Sequence, residues 1–197
     1  FKNSYASIKL EVYGDFEEKK MPVRLNIQIA NTLPLTEPDV DGTRFVTGNT
    51  VDTNYVWYSG KLWRIVSIDT NGNVKIVTQG NMTTIAWDTS RSNTDYSTSQ
   101  IRRWLNNNND DGFLKSLHNA DDLLIDYEWD YTTYAAFPTQ KAEENVMKLE
   151  GENAEKVGLL NIYEFMMTGG TTSSSTIKTF LNNGYRWWTM SPKTSGS

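Results

Sequence analysis

Residues 54–79, NYVWYSGKLWRIVSIDTNGNVKIVTQ, constrain this chain more than any other stretch. They read as three short strands joined by two tight turns. Residues 55–58 form the first strand, 61–69 the second and 74–79 the third, with Ser59 and Gly60 at one turn. Asn71 and Gly72 mark the other, because a two-residue hairpin turn needs positive φ and Asn-Gly tolerates it. In the middle strand Leu62, Val66 and Ile68 share one face, and Trp63 and Ile65 the other. Apolar groups on both faces predict a central strand covered on both sides.

Upstream, residues 4–13 and 23–30 alternate apolar and polar side chains, with Ile8, Leu10, Val23, Leu25 and Ile27 on the apolar sides. Joined by the charged segment 14–22, they predict an N-terminal β-hairpin over residues 1–35. A lone hairpin is marginal in water, so something must cover its apolar face. Residues 36–53, with Pro38, the Asp41-Gly42 pair and the Gly48-Asn49 pair, read as a linker with one short strand near 44–46. Residues 54–197 then form the main domain. A helix starts near Ser99, with Ile101, Trp104 and Leu105 at i, i+3, i+4 spacing. It stops in the polar run 106–112, and a short helix follows over 113–117. The stretch LLIDYEWDY alternates as a strand over 123–131, and 156–160 reads as another. Asn161 with Glu164 makes a capping-box start for a helix over 162–167. A short helix at 176–181 and a last strand at 185–190 complete the pattern. The expectation is an α+β fold: a twisted antiparallel sheet with two or three short helices, preceded by the N-terminal β-hairpin.

Composition narrows the chemistry. The 197 residues carry a net charge of −5, and no Lys/Arg cluster stands out. Nucleic acid and anionic membranes are therefore not expected as partners. With no cysteine, disulfides, thiolate catalysis and cysteine-type zinc sites are excluded. The one histidine, His118, sits in a polar turn and reads as a surface residue, and no G-x-S-x-G elbow is present. Two carboxylates suffice for glycoside hydrolysis, but among 24 acidic residues that signal carries little information. The Ser, Thr and Asn excess leans towards an extracellular setting. The start at Phe1 and the abrupt end at Ser197 suggest either that an export segment has been removed or that this is a piece of a longer protein.

The ordered motifs YVWYSGKLWRIVSI, NGNVKIVTQ, IRRWLNN, KVGLLNIYEF and GYRWWTMSP resemble an uncharacterised domain of secreted and cell-surface proteins of Gram-positive, often gut, bacteria. The resemblance spans about residues 50–192. It implies an extracellular α+β domain with a fold like the C-type lectins or the formylglycine-generating enzymes. It carries no established activity and no catalytic residues. It also implies further strands beyond the WW-x-x-SP motif, where this chain ends.

Aromatics are 12% of the chain, with seven Trp and ten Tyr. Sugar rings stack on Trp and Tyr, while nearby carboxylates, amides and Arg bind hydroxyls. Two groups offer that mixture: Trp87 with Asp88 and Arg91, and Tyr127, Trp129, Tyr131 and Tyr134 beside Asp126, Glu128 and Asp130. The competing reading is a buried aromatic face. Asp39/Asp41, Asp69/Asn71/Asn73 and residues 106–111 can supply oxygen ligands to Ca²⁺, against ordinary turn chemistry. No cofactor is required. The expected function is a non-catalytic module of a bacterial secreted or cell-surface protein, acting in adhesion or glycan binding, either secreted or anchored to the wall or membrane by segments outside this chain, whose partner is a host or bacterial glycan or a surface protein. The alternatives are a structural spacer or assembly subunit of a pilus-like surface fibre and, third, a glycan-processing enzyme.

Overall fold

The computed structural model describes residues 33–90, 93–134, 138–171 and 178–192. Both strands expected for the N-terminal hairpin lie outside these residues. Within them the architecture is α+β, built on a four-stranded antiparallel sheet. Strands β1 (Arg44–Phe45), β2 (Tyr55–Tyr58), β3 (Lys61–Ile68) and β4 (Val74–Thr78) all meet at β3. β4 pairs along one edge of β3, while β2 and β1 follow one another along the other.

The β2–β3 turn is tight because Ser59 and Gly60 both take positive φ, at 52° and 70°. The β3–β4 turn is one residue longer than Asn-Gly suggests. Asp69 and Asn73 still pair through their backbones, and only Gly72 is left-handed, at 80°. Asp69 Oδ1 accepts the amides of Asn71 and Asn73, both at 2.8 Å, so the carboxylate organises the turn itself.

Trp63 to Ser67 are buried without interruption, as a doubly covered strand requires. The strict alternation expected along β3 fails at a register shift between Ile65 and Ser67. The extra residue, Val66, joins Ile65 in one apolar cluster with Leu33, Val46, Val51, Leu160, Phe180 and Leu181. Trp63 belongs to the second cluster, with Tyr96, Ile101, Leu105, Phe113, Leu117, Trp129, Leu149 and Met190. Leu62, expected on a covered face, is 40% exposed.

Helix α1 (Gln100–Asn106) is capped by Ser99, whose hydroxyl accepts the Arg102 amide at 3.2 Å. Its last residue grips the facing backbone. Asn106 donates to the Val157 carbonyl at 2.8 Å and accepts its amide at 3.0 Å. Helix α2 (Ala120–Leu123) is unexpected; Asp121 and Asp122 in its first turn complement the helix dipole. It consumes the start of the strand anticipated over 123–131. What remains is extended chain with two single bridges, Tyr127 to Glu155 and Asp130 to Lys148. Residues 156–160 and 185–190 also lack a ladder, although Met190 donates to the Leu160 carbonyl at 3.0 Å. Residues 178–181, the described part of the helix expected at 176–181, form a turn. Helix α3 (Ile162–Met167) has the full capping box: Asn161 Oδ1 accepts the Glu164 amide and Glu164 Oε2 accepts the Asn161 amide.

The stretch read as a linker is instead partly interior. Phe45, Val46 and Val51 are buried, and the Gly48 carbonyl accepts the Phe180 amide at 2.8 Å. Its Pro and Gly residues shape turns around a packed strand.

Gly158 lies flat against the Trp129 ring, where an added Cβ would stand 2.4 Å from it. Gly158→Ala is expected to lower the urea unfolding free energy by about 1–3 kcal/mol through overpacking. Gly80→Ala, whose Cβ meets nothing within 4 Å, should shift it by less than about 0.5 kcal/mol.

Candidate functional site

The two aromatic groups anticipated from the sequence are joined through one buried residue. Tyr96, wholly buried, has Trp87 on one side at 6.0 Å between ring centroids and Tyr131 on another at 6.2 Å. Trp188 continues the run at 5.8 Å from Trp87 and donates its indole N–H to the Ile85 carbonyl. Trp87 is half-buried, with its own indole nitrogen enclosed and unpartnered. Its ring packs between Tyr96 and Trp188. Asp88 is occupied by its own loop: the Asn93 side-chain amide, the Ser90 amide and the Thr89 hydroxyl all donate to it. The Asn93 contact first, then the Ser90 and Thr89 contacts, hold its carboxyl below the ordinary range despite some desolvation. Arg91 lies outside the described residues.

In the second group Trp129 is 8% exposed, and its indole N–H donates to the Glu155 carbonyl at 2.7 Å. At that burial the ring forms part of the packed interior. Asp126 and Glu128 face solvent, Asp126 near Lys156 at 3.3 Å and Glu128 near the Gly151 amide at 3.4 Å. Tyr127 and Tyr131 are half-buried, with Tyr127 edge-on to Trp129 at 5.0 Å. The potential calcium ligands Asp39 and Asp69 accept backbone amides of their own turns. Among the described residues no three His, Cys, Asp or Glu come together in a way that would hold a metal.

What the fold does bring together is a polar chamber of about 30 Å³, room for one or two water molecules. Its floor is Lys75 of β4, ion-paired with Glu164 of α3 and set over the rings of Tyr127 and Trp129 at 4.2 and 4.8 Å. Burial pulls Lys75 down, but Glu164 and then Tyr127 more than offset it, so its pKa stands above the usual lysine value. The walls include Asp39, Asp130, Lys141, Asn161 and Tyr163. Tyr163 donates its hydroxyl to Asp39 Oδ2 at 3.1 Å, and Lys141 pairs with Asp41. Burial, with Asp39 close by, raises the Tyr163 hydroxyl pKa. Asp130 Oδ1 accepts the Thr132 amide at 2.9 Å; its Oδ2 is enclosed without a partner. The Tyr134 hydroxyl is also enclosed, beside the Ala142 backbone but outside hydrogen-bond geometry, and burial pushes it up to about 12. Outside the chamber, residues 36–40 and 139–143 bound a groove of about 440 Å³ that shares Asp39, Lys141 and Tyr163 with it.

Of the expected site residues, Tyr127, Trp129 and Asp130 line this chamber and Tyr134 sits beside it. Asp39 entered only as a potential calcium ligand, and Lys75, Glu164, Lys141 and Tyr163 were not expected as site residues. Lys75 had one signal, as the lone charge inside the apolar run of β4.

A third feature lies on the sheet. Trp57 is 71% exposed, opposite Leu62 across the β2–β3 pair, with Tyr55 on the same face and 45% exposed. No protein-family model matches the chain, and neither do the curated proteins or the solved structures.

Removing one partner of the Lys75–Glu164 pair leaves a buried charge alone. Lys75→Met is expected to cost roughly 3–5 kcal/mol at neutral pH, and Lys75→Met with Glu164→Gln clearly less. Because the folded pKa of Lys75 is raised, its contribution is complete below the unfolded value of about 10.4 and is lost as pH climbs through the folded value. Urea titrations across that alkaline range should show a steeper loss in the parent chain than in the double variant.

Proposed function

We propose that this chain is a non-catalytic binding module of a secreted or cell-surface bacterial protein, and that its ligand is a glycan. The exposure of Trp57 on a regular strand carries this reading. Among the described residues this large indole faces water, and a side chain on a strand is held more rigidly than one on a loop.

The neighbouring groups suit a sugar. Tyr55 lies over the Arg64 guanidinium at 4.1 Å and its hydroxyl accepts from Arg64 at 2.9 Å, so the ring is held from beneath. Leu62 and Tyr55 extend the apolar area beside Trp57, and Gln79, bonded through its amide to the Leu62 carbonyl, adds a polar edge. Pyranose C–H faces stack on such rings while hydroxyls take the polar rim. The ordered sequence motifs support a surface setting.

The same exposure favours a second reading, in which the face pairs copies of the chain in a fibre. Exposed apolar patches mark either kind of contact. Titrating host and bacterial glycans against intrinsic Trp fluorescence separates the two. A saturable change with one glycan class, weakened at least about tenfold by Trp57→Ala, or ~1.4 kcal/mol, is the expected result. Absence of any change across the panel, together with a concentration-dependent rise in sedimenting mass that Trp57→Ala abolishes, would replace the glycan with a second copy.

A further inference from the structure

The chamber and its outer groove carry a charge imbalance that the fold does not resolve. Five carboxylates, Asp39, Asp130, Glu164, Glu37 and Glu143, and two ammonium groups, Lys75 and Lys141, line the two spaces. Lys75 is committed to Glu164 and Lys141 to Asp41. Glu37 and Glu143 on the groove have no ion-pair partner among the described residues and are exposed. Asp39 is satisfied by the amides of Asp41 and Thr43 and by the Tyr163 hydroxyl. Asp130 is not: Oδ1 takes the Thr132 amide, and Oδ2 is enclosed with nothing donating to it. A buried carboxylate oxygen without a donor is costly, and a charged donor satisfies it best.

The donor must be small, cationic and content with mixed oxygen partners. A divalent metal needs several carboxylates converging on one point, and the described residues provide no such group. A guanidinium is too broad for a chamber with room for one or two waters. An ammonium is close to water in size and donates three hydrogen bonds, which carboxylate and phenol oxygens can both accept. The groove, at about 440 Å³, has the volume of a small-molecule site and leads to the residues the chamber shares with it.

We propose that this groove and chamber bind a ligand bearing a primary ammonium group, with Asp130 as the terminal acceptor and Glu37 and Glu143 attracting the cation at the mouth. The site stands apart from the Trp57 face and does not depend on it. Two sources share this chemistry: a sugar with a free amine, or a lysine side chain.

Nitrogen–proton NMR titration of the full chain tests it, using glucosamine, N-acetylglucosamine and Nα-acetyl-lysine amide as probes. The Thr132 amide, bonded to Asp130, is the local reporter. At least one amine should shift it saturably at millimolar concentration, and N-acetylglucosamine should not. Which amine binds identifies the source. Asp130→Asn should weaken binding at least tenfold, while Asp126→Asn, altering an exposed carboxylate, should not. Should Asp130→Asn fail to fold, the paired change Glu37→Gln and Glu143→Gln, confined to exposed side chains, should still weaken binding several-fold. Trp57→Ala should leave it intact. The proposal is overturned if no amine shifts the reporter, if the acetylated sugar shifts it equally, or if a folded Asp130→Asn variant binds as the parent does.

Discussion

A buried arginine with no carboxylate partner among the described residues sets the terms for this fold. Arg64, 5% exposed at the centre of β3, hands its hydrogens to neutral oxygens: Asn54 Oδ1 at 2.7 Å, the Tyr55 hydroxyl and Gln79 Oε1 at 2.9 Å, and the Val51 carbonyl at 2.6 Å. Tyr55 stacks on it at 4.1 Å and Phe180 at 4.8 Å. Burial lowers its pKa, yet a guanidinium keeps its proton in any protein. A dehydrated charge is tolerable only while those acceptors and rings hold their places. Asn54 is held in turn, donating to the Ile65 carbonyl at 2.9 Å while its own carbonyl takes the Ile65 amide. One side chain thereby ties the entering chain, all three strands of the meander and the C-terminal turn to a common point.

The polar chamber is organised on a different plan. There each lysine has its own carboxylate, and the surplus is negative. The interior thus holds one cation served by dipoles and another served by an ion pair. They answer differently to change: a dipole shell fails when geometry fails, whereas an ion pair fails when either charge is removed. Tyr127 and Trp129, edge-on to one another, provide the aromatic surface beneath the second of these.

The parts legible in the sequence are those whose causes are local. The three-strand meander follows from alternation and turn residues, α1 from the Ser99 cap and the Ile101–Leu105 spacing, and α3 from the Asn161–Glu164 box. The misreadings each involve a distant partner. LLIDYEWDY alternates well enough for a strand, but an extended segment becomes one only where a neighbour offers a ladder, and here two single bridges exist. Residues 36–53 looked like a linker because turn formers outnumber Phe45, Val46 and Val51, which are nonetheless interior. The Val66 bulge has no signature in a run of apolar residues. For the site, alternation placed Tyr127, Trp129 and Asp130 near one another but could not tell an open platform from a wall packed against Gly158. Lys75 and Glu164 lie far apart in sequence, and only the fold shows them as a pair.

The Gly48–Phe180 bond, with the Phe180 ring over Arg64, also bears on the order in which the body is assembled. The turns of the meander close short stretches of chain, whereas this contact joins segments far apart in sequence, and the entropy lost on closing a loop grows with its length. The strands can therefore pair while one face of the guanidinium is still wet. Dehydrating that face requires the C-terminal turn, so the burial of this charge is tied to a closure between segments far apart in the chain.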